Sequence, residues 1–303
     1  MASPLSDLHR HLDGSLRMQT LRELATELGV AIPQPFGFYR GMGLQAALDC
    51  FVTTLAVLQR PDAVCRVASE ICEDAAAQGV HTLEIRFAPQ LHQGASVAAI
   101  VDAALEGIAG RAGLVLCGLY GESPDVIGNL VQIAGPRLGV VGLDLAGAPA
   151  PGHRYRLIDY AEAFTGAKAA GLGRTVHAGE GRPPQEIAVA VLELHAQRIG
   201  HGCSLLQDRA VVQLLRQRDV TIEVCITSNV QVGALVTAAD HPLPQWLDAQ
   251  VAACICTDNT LMSNTNPQVE LALAAALPGM DALKLAQVVA CGHAARFLRF
   301  APT

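Results

Sequence analysis

The chain has 303 residues, 51% hydrophobic and 16% charged, with 21 Lys and Arg against 28 Asp and Glu for a formal net charge of -7 at pH 7. That apolar content supports a large buried core and excludes an intrinsically disordered chain. The acidic balance, without any cluster of lysine and arginine, argues against nucleic acid or an anionic membrane as partner and for a small molecule.

In chain order, short β-branched or apolar runs alternate with longer stretches whose apolar residues repeat at helical spacing. The runs are SDLHRHLDG from Ser6, GVHTLEIRFAP from Gly79, GLVLCGLYG from Gly113 and GVVGLDLAG from Gly139, then RTVHAGE from Arg174, RIGHG from Arg198, TIEVCITSN from Thr221 and VAACICTDN from Val251. DAVCRVASEICEDAAAQ, SVAAIVDAALEGIAGRA and DRAVVQLLRQRD represent the helical segments between them. Eight strand-helix units close most naturally as an α/β fold of the (β/α)8 TIM barrel type. An open doubly wound sheet has fewer strands and an early glycine-rich phosphate loop, and neither GxGxxG nor a Walker sequence is present. Residues 1–303 are therefore expected to form one barrel domain. One connection is out of proportion: residues 14–79, after the first strand, hold helix-like RMQTLRELATELG, the irregular IPQPFGFYRGMG and helix-like LQAALDCFVTTLAVLQ. Loops after strands build the active-site face of a barrel, so this helical insertion is expected to be a lid or else a packed subdomain without ligand contact.

No uncharged apolar run reaches the roughly 18 residues of a membrane span, and the N-terminal MASPLSDLHRHLDG becomes polar at once, so a cytoplasmic protein without a membrane partner is expected. Nine cysteines lie singly in apolar segments with no CxxC pair, the pattern of buried reduced thiols.

His9, His11, His177 and His201 fall at the C-terminal ends of proposed strands, where barrel enzymes carry their catalytic groups. His9 and His11 stand at i and i+2, so in an extended strand both rings point to one side and can share a metal ion; alternating histidines also occur on solvated sheet faces. His177 ends the fifth strand, and Asp258 ends the eighth, which lies beside the first in a closed barrel. Three imidazoles and a carboxylate suit one zinc ion with a position left for water, and iron or another divalent cation fits the same ligands. Glu180 follows His177 across the AG turn and is expected beside the metal, where an apolar setting raises its pKa and lets it shuttle a proton; capping of the next helix is the other reading. His201, between Gly200 and Gly202, either handles the proton of a metal-activated water, serves as a fifth ligand or is a satisfied core histidine. A metal lowers the pKa of bound water to around 7, so hydrolysis is the chemistry this set supports. A two-metal site bridged by a carbamylated lysine is excluded, because the fourth strand ends LDLAGAP and the only lysines, Lys168 and Lys284, lie in helical segments. The HxE and PCxxC zinc signature is absent as well. Glu84, Arg86, Asp144 and Glu223 are expected to pair inside the barrel or to hold the ligands from behind, as are Ser228 and Asn229 at the end of the seventh strand. His81, His92, His153, His195, His241 and His293 read as surface or structural residues.

DLHRHLDGSLR, EIRFAP, DLAG, TVHAGE, RIGHG, EVCITSN and TDN occur together in one order. In that order and spacing the chain resembles the adenosine/AMP deaminase family of the amidohydrolase superfamily, from about Asp7 to the helix near Phe297. The resemblance implies a purine-metabolism hydrolase with one Zn2+ per chain that converts the 6-amino group of adenosine, or of an adenosine-like nucleoside, to 6-oxo and releases ammonia. It implies His9, His11, His177 and Asp258 as metal ligands, Glu180 as the acid that protonates purine N1, and His201 as the group that orients and deprotonates the water, with Asp258 beside the chemistry. On the substrate side it implies His11, the Gly147 N–H toward N3, Asp13 toward the ribose or its replacement, and Asn259 toward N7. Some members carry a second aspartate at that last position; an amide donates to N7 without first being protonated. The third strand ends CGLYG where many relatives have a basic residue. Other readings are deamination of free adenine or of a 5′-substituted adenosine such as aminodeoxyfutalosine, another metal-dependent amidohydrolase reaction on a cyclic amide or ester, and a metal-keeping binder without turnover. The expected partner is a small purine nucleoside or base, and a homo-oligomer is left open.

Overall fold

Polar and apolar residues alternate along the strand sequences LEIRF, GLDLA, TVHA and TIEV, so each strand has one face for a polar interior and one for a surrounding helical layer. The structure, a computed structural model, describes residues 4–148 and 152–298. Its strands are β1 (Leu5–His11), β2 (Val80–Phe87), β3 (Gly113–Leu119), β4 (Val140–Ala146), β5 (Gly173–Ala178), β6 (Arg198–His201), β7 (Thr221–Val224) and β8 (Ala252–Ile255). They form one sheet in the order β1 to β8, each parallel to the next. The barrel closes between β8 and β1 by a parallel bridge between Arg10 and Asp258. There the Asp258 amide donates to the His9 carbonyl and the His11 amide donates to the Asp258 carbonyl, both at 2.8 Å. The expected (β/α)8 TIM barrel is the fold found.

The helices are α1 (Met18–Leu28), α2 (Leu44–Val57), α3 (Pro61–Ala77), α4 (Val97–Ile108), α5 (Pro124–Ala134), α6 (Ala161–Ala169), α7 (Pro184–Leu192), α8 (Arg209–Gln217), α9 (Ile226–Gln231), α10 (Leu243–Asp248), α11 (Pro267–Ala275) and α12 (Ala282–Ala294). Ser96, Ser123, Asp208, Asn266 and Asp281 start α4, α5, α8, α11 and α12 by accepting a hydrogen bond from a first-turn amide, which satisfies donors the helix cannot pair itself. Val64, Val67, Ala68, Ile71 and Ala75 repeat at helical spacing along α3 and pack it on β2 and α4, as a barrel helix packs. The apolar strand face, including Ile85, Phe87, Leu143, Leu145, Val176, Ile199 and Ile222, is buried under this helical layer.

Residues 30–43 cross the C-terminal rim of the barrel. Phe38 donates its amide to the Met262 carbonyl at 2.6 Å and Met42 donates to that of Gln231 at 2.8 Å. α2 follows, burying Ala47, Thr54 and Val57. No helix among the described residues is long and apolar enough to cross a membrane.

The seventh strand is shorter than its sequence suggests. TIEV is extended, but Ile226 to Gln231 are helical, so Ser228 and Asn229 sit in α9 and not at a strand end. A buried carboxyl group favours the helix: Glu270 of α11 accepts the Thr227 amide at 3.2 Å and the Thr265 hydroxyl at 2.7 Å, and so satisfies a first-turn donor of α9.

Candidate active site

The polar face of the strands builds a stack of charges inside the barrel. Arg86 donates to Asp144 Oδ2 at 2.9 Å and lies 2.9 Å from Glu223 Oε2, while its other contact is the Leu8 carbonyl. Arg198 pairs with Glu84 and, through Nε at 2.8 Å, with Glu223 Oε1; its guanidinium lies 3.5 Å from the centre of the Phe297 ring. All five ionic groups are essentially without solvent, so each is stable only because the others compensate it. The expected pairing of Glu84, Arg86, Asp144 and Glu223 is therefore present, and two of the carboxylates do more. Glu223 accepts His9 Nδ1–H at 2.8 Å and Asp144 accepts His177 Nδ1–H at 3.1 Å. Those bonds fix the tautomer, leaving the Nε2 lone pair of each ring to face the rim of the barrel.

Four ligand atoms meet there. His9 Nε2 is 3.2 Å from His11 Nε2, His11 Nε2 is 3.3 Å from His177 Nε2, and Asp258 Oδ1 is 3.4 Å from the Nε2 atoms of both His9 and His11. Donors at zinc-ligand distance from one ion and at tetrahedral angles lie about 3.3 Å apart, so the spacing fits a single such ion. The chemistry agrees, because three imidazole nitrogens and one carboxylate oxygen make a donor set that zinc accepts. His9, His177 and His201 also offer atoms within 4.8 Å of one another, as do His9, Cys225 and Asp258. His201 has another commitment, however, since its Nδ1 is bonded to the Asn229 amide at 2.9 Å.

Backbone geometry tightens the cluster. His201 and Asp258 both have left-handed backbone, φ 69 and 63, a strained conformation for side-chain-bearing residues that concentrates at functional sites. A Cβ on Gly200 would lie 3.1 Å from His9 Cε1 and 3.4 Å from His177, so glycine is what lets β6 press against the rings. Gly179, at φ 78, turns the chain after His177, and a Cβ there would meet Ile187 and Ser204 at 2.8 and 2.9 Å.

Glu180 follows that turn, buried, with Oε1 accepting from Asn229 Nδ2 at 3.1 Å and lying 3.3 Å from His201 Nδ1. Burial pushes its carboxyl up to about 8, the Asp258 charge adds to the rise, and the bond from Asn229 opposes it. It holds a proton at neutral pH. Burial likewise holds the imidazoles of His11 and His201 well below their ordinary value. Burial works against the His9 imidazolium too, as does Arg86, but hydrogen bonds to Asp258 and Glu223 outweigh both and hold its pKa at about 9.

A cavity of about 60 Å³ lies over the cluster, lined by His11, His177, Glu180, His201, Asp258 and Asn259 and roofed by Leu44, Ala47, Leu48 and Phe51 of α2. It shares His11, Leu48, Phe51 and Gly147 with an outer cavity of about 550 Å³ that Asp13 also lines. Each of the sequence-derived site residues His9, His11, Asp13, Gly147, His177, Glu180, His201, Asp258 and Asn259 thus borders the cluster or one of these two cavities. Asp13 Oδ1 and Asn259 Oδ1 are buried without a hydrogen-bond partner in the protein. Of the outer wall, the sequence drew attention only to the CGLYG end of the third strand, which includes Tyr120, and not to Glu122; His153 is at the surface, as expected, and also lines the outer cavity with its ring 5.5 Å from that of Tyr120. His92 and His241 are structural as expected, the first buried on the Leu58 carbonyl at 2.6 Å and the second against Trp246. Asn229, read only as a supporting residue, joins Glu180 to His201. Its asparagine side chain after a buried strand was the available signal.

The family model for adenosine deaminase matches residues 4–301. An adenosine deaminase of Erwinia tasmaniensis is 35% identical over 305 residues, covering 92% of this chain and 89% of that one. A probable adenosine deaminase of Dictyostelium discoideum is 35% identical over 291 residues, 89% of this chain, and the chain spans 37% of that relative's length. Among solved structures, an adenine deaminase from Arthrobacter aurescens has a TM-score of 0.88 at 27% identity, covering 98% of this chain and 95% of its own. Arabidopsis ADAL complexed with IMP has a TM-score of 0.85 at 26% identity, covering 97% and 92%.

Proposed function

The chain belongs to the adenosine deaminase family, and from that premise we propose that it converts the 6-amino group of adenosine, or of a substituted adenosine, to 6-oxo using one zinc ion per chain. It is a hydrolase that deaminates adenosine-like purines, acting on the C–N bond of a cyclic amidine. The observation that carries the finer reading is the convergence of three imidazole nitrogens and a carboxylate oxygen at tetrahedral spacing beside the buried Glu180.

His9, His11, His177 and Asp258 would hold the metal, which supplies the Lewis acidity that brings a water's pKa toward 7. Zinc is favoured over other divalent ions by the nitrogen-rich set of four. His201 takes the proton that the water gives up, and its bond to Asn229 holds the ring in place. Glu180 gives its proton to purine N1, which draws electron density from C6 and makes that carbon electrophilic. After water adds at C6, the amino group leaves as ammonia. Gly147 N–H would face N3, the Asn259 amide N–H would donate to N7, and the unpartnered Asp13 Oδ1 is free for the substituent on N9. Within one barrel domain, we read the part of the 14–79 connection that precedes the barrel helix α3 as the lid-like insertion, since α2 roofs the inner cavity.

The test is metal analysis of the purified protein together with ammonia release from adenosine and adenine. One equivalent of zinc and turnover of adenosine support the reading. Metal-replete protein that releases no ammonia from either compound overturns it. The likeness to an adenine deaminase makes free adenine the second substrate to try.

A further inference from the structure

The outer cavity carries a selectivity that the reaction at C6 does not require. In a purine, C6 and N9 lie at opposite ends of the bicycle, so a base with C6 at the histidine cluster directs its N9 substituent away from the metal. That direction leads past His11 and Gly147, which line both cavities, to Asp13 in the outer one.

The outer wall is apolar and aromatic, with Leu48, Phe51, Leu55, Leu91, Leu119 and Tyr120. Its ionisable groups are His11, Asp13, Glu122, Cys117, Tyr120 and His153, and among the described residues that line it there is no lysine or arginine. The sequence between Ala148 and Gly152 is Pro-Ala-Pro and brings no charge. Arg182 is near, 4.9 Å from the centre of the Tyr120 ring, but its guanidinium is paired with Glu186 through both Nε and Nη2. Glu122 is held as an acceptor by Gln90 Nε2 and by the Leu119 amide, each at 2.9 Å, so its carboxylate stays at this wall.

Resting on the deaminase reading above, we propose that this chain acts on purine nucleosides whose 5′ carbon bears an uncharged, apolar group, and that it rejects a 5′-phosphate. A phosphate dianion entering this cavity would lose hydration against leucine and aromatic side chains and would face two carboxylates with no cation to pair with. An alkyl or thioether group in the same place buries apolar surface, and sulfur gains contact with the aromatic rings. The fold does not decide the matter, since Arabidopsis ADAL is complexed with IMP. The lining does.

The experiment measures kcat/KM for ammonia release by the metal-loaded enzyme with adenosine, 5′-methylthioadenosine, AMP and adenine. The expected result is 5′-methylthioadenosine at least equal to adenosine, and AMP at least tenfold below it. AMP within tenfold of adenosine, or 5′-methylthioadenosine below adenosine, overturns the proposal while leaving the deaminase reading intact. Absence of ammonia from all four compounds overturns the deaminase reading itself. A second arm uses His153→Arg, a change at an exposed position beside Tyr120, so that folding is not at risk. A cation there should raise the ratio of AMP to adenosine turnover at least fivefold. An unchanged ratio means that the 5′ end does not face this wall, and the proposal falls.

Discussion

The inner site and the outer cavity are built by opposite means. The main reacting groups of the inner site are fixed by polar partners on neighbouring strands or helices: His9 by Glu223, His177 by Asp144, Glu180 and His201 by Asn229, and the two carboxylates in turn by Arg86. The outer cavity rests on α2 and on the loops after β3 and β4, and its wall is mostly leucine and aromatic side chains without directional bonds. Precise geometry is spent where a proton and a water must be placed, and shape alone serves where a substituent is only accommodated. The first region should therefore respond to substitution in kcat, and the second in KM and substrate preference.

Removing the cation is the most severe way to break that contrast. A chelator, or Asp258→Ala, should reduce turnover below detection; deamination at the parent rate by metal-free protein would contradict the ligand assignment. Metal binding should also depend on pH in a definite sense. In the metal-free protein His9 keeps its proton up to about 9, so the ion must displace it, and apparent affinity should rise with pH until about 9 and then level off. Titration of the apoprotein with zinc at several pH values checks this.

Glu180→Gln should keep the metal and the substrate affinity and lower kcat about 1,000-fold, within the range for loss of a general acid. Because the protonated carboxyl is the working form, parent activity should fall as pH rises through about 8. Steady-state kinetics on the variant and a pH-rate profile of the parent test both statements.

Asn229→Leu preserves bulk but unties Glu180 from His201, and kcat should drop about 30-fold with KM nearly unchanged, the size of loss typical when a hydrogen bond that orients a catalytic group is removed. An effect confined to KM would show that Asn229 acts on substrate directly. The smallest change is expected at the outer wall: Leu119→Ala should raise KM about fivefold, equivalent to a lost apolar contact, and leave kcat within twofold. A loss in kcat comparable to that of Glu180→Gln would erase the distinction between the two regions.

The same contrast explains what was legible in the sequence. Histidines, carboxylates and glycines at strand ends carry distinctive chemistry, and the alternation in each strand tells which of them share a face, so the barrel and the convergence of these groups at its rim could be read together. The seventh strand misled because Ile226 to Asn229 are acceptable in either conformation, and the helix is favoured by Glu270, some forty residues further on. The leucines of α2 and the residues after β3 were not recognisable as a ligand wall, since an apolar side chain looks the same in sequence whether it faces a core or a cavity. His153 was passed over because one loop histidine has no periodic partner to give it direction.

The meeting of Arg10 and Asp258 has a consequence for the whole molecule. Only where the last strand reaches the first does the cylinder become continuous, and the backbone bonds that fasten it come from His9, His11 and Asp258, whose side chains would hold the ion. A bound cation thus acts as a rivet across the join, and its binding energy adds to the cohesion of the fold as well as to the chemistry. Amide protons of His11 and Asp258 should exchange faster when the metal is stripped, and melting temperature should climb with added zinc.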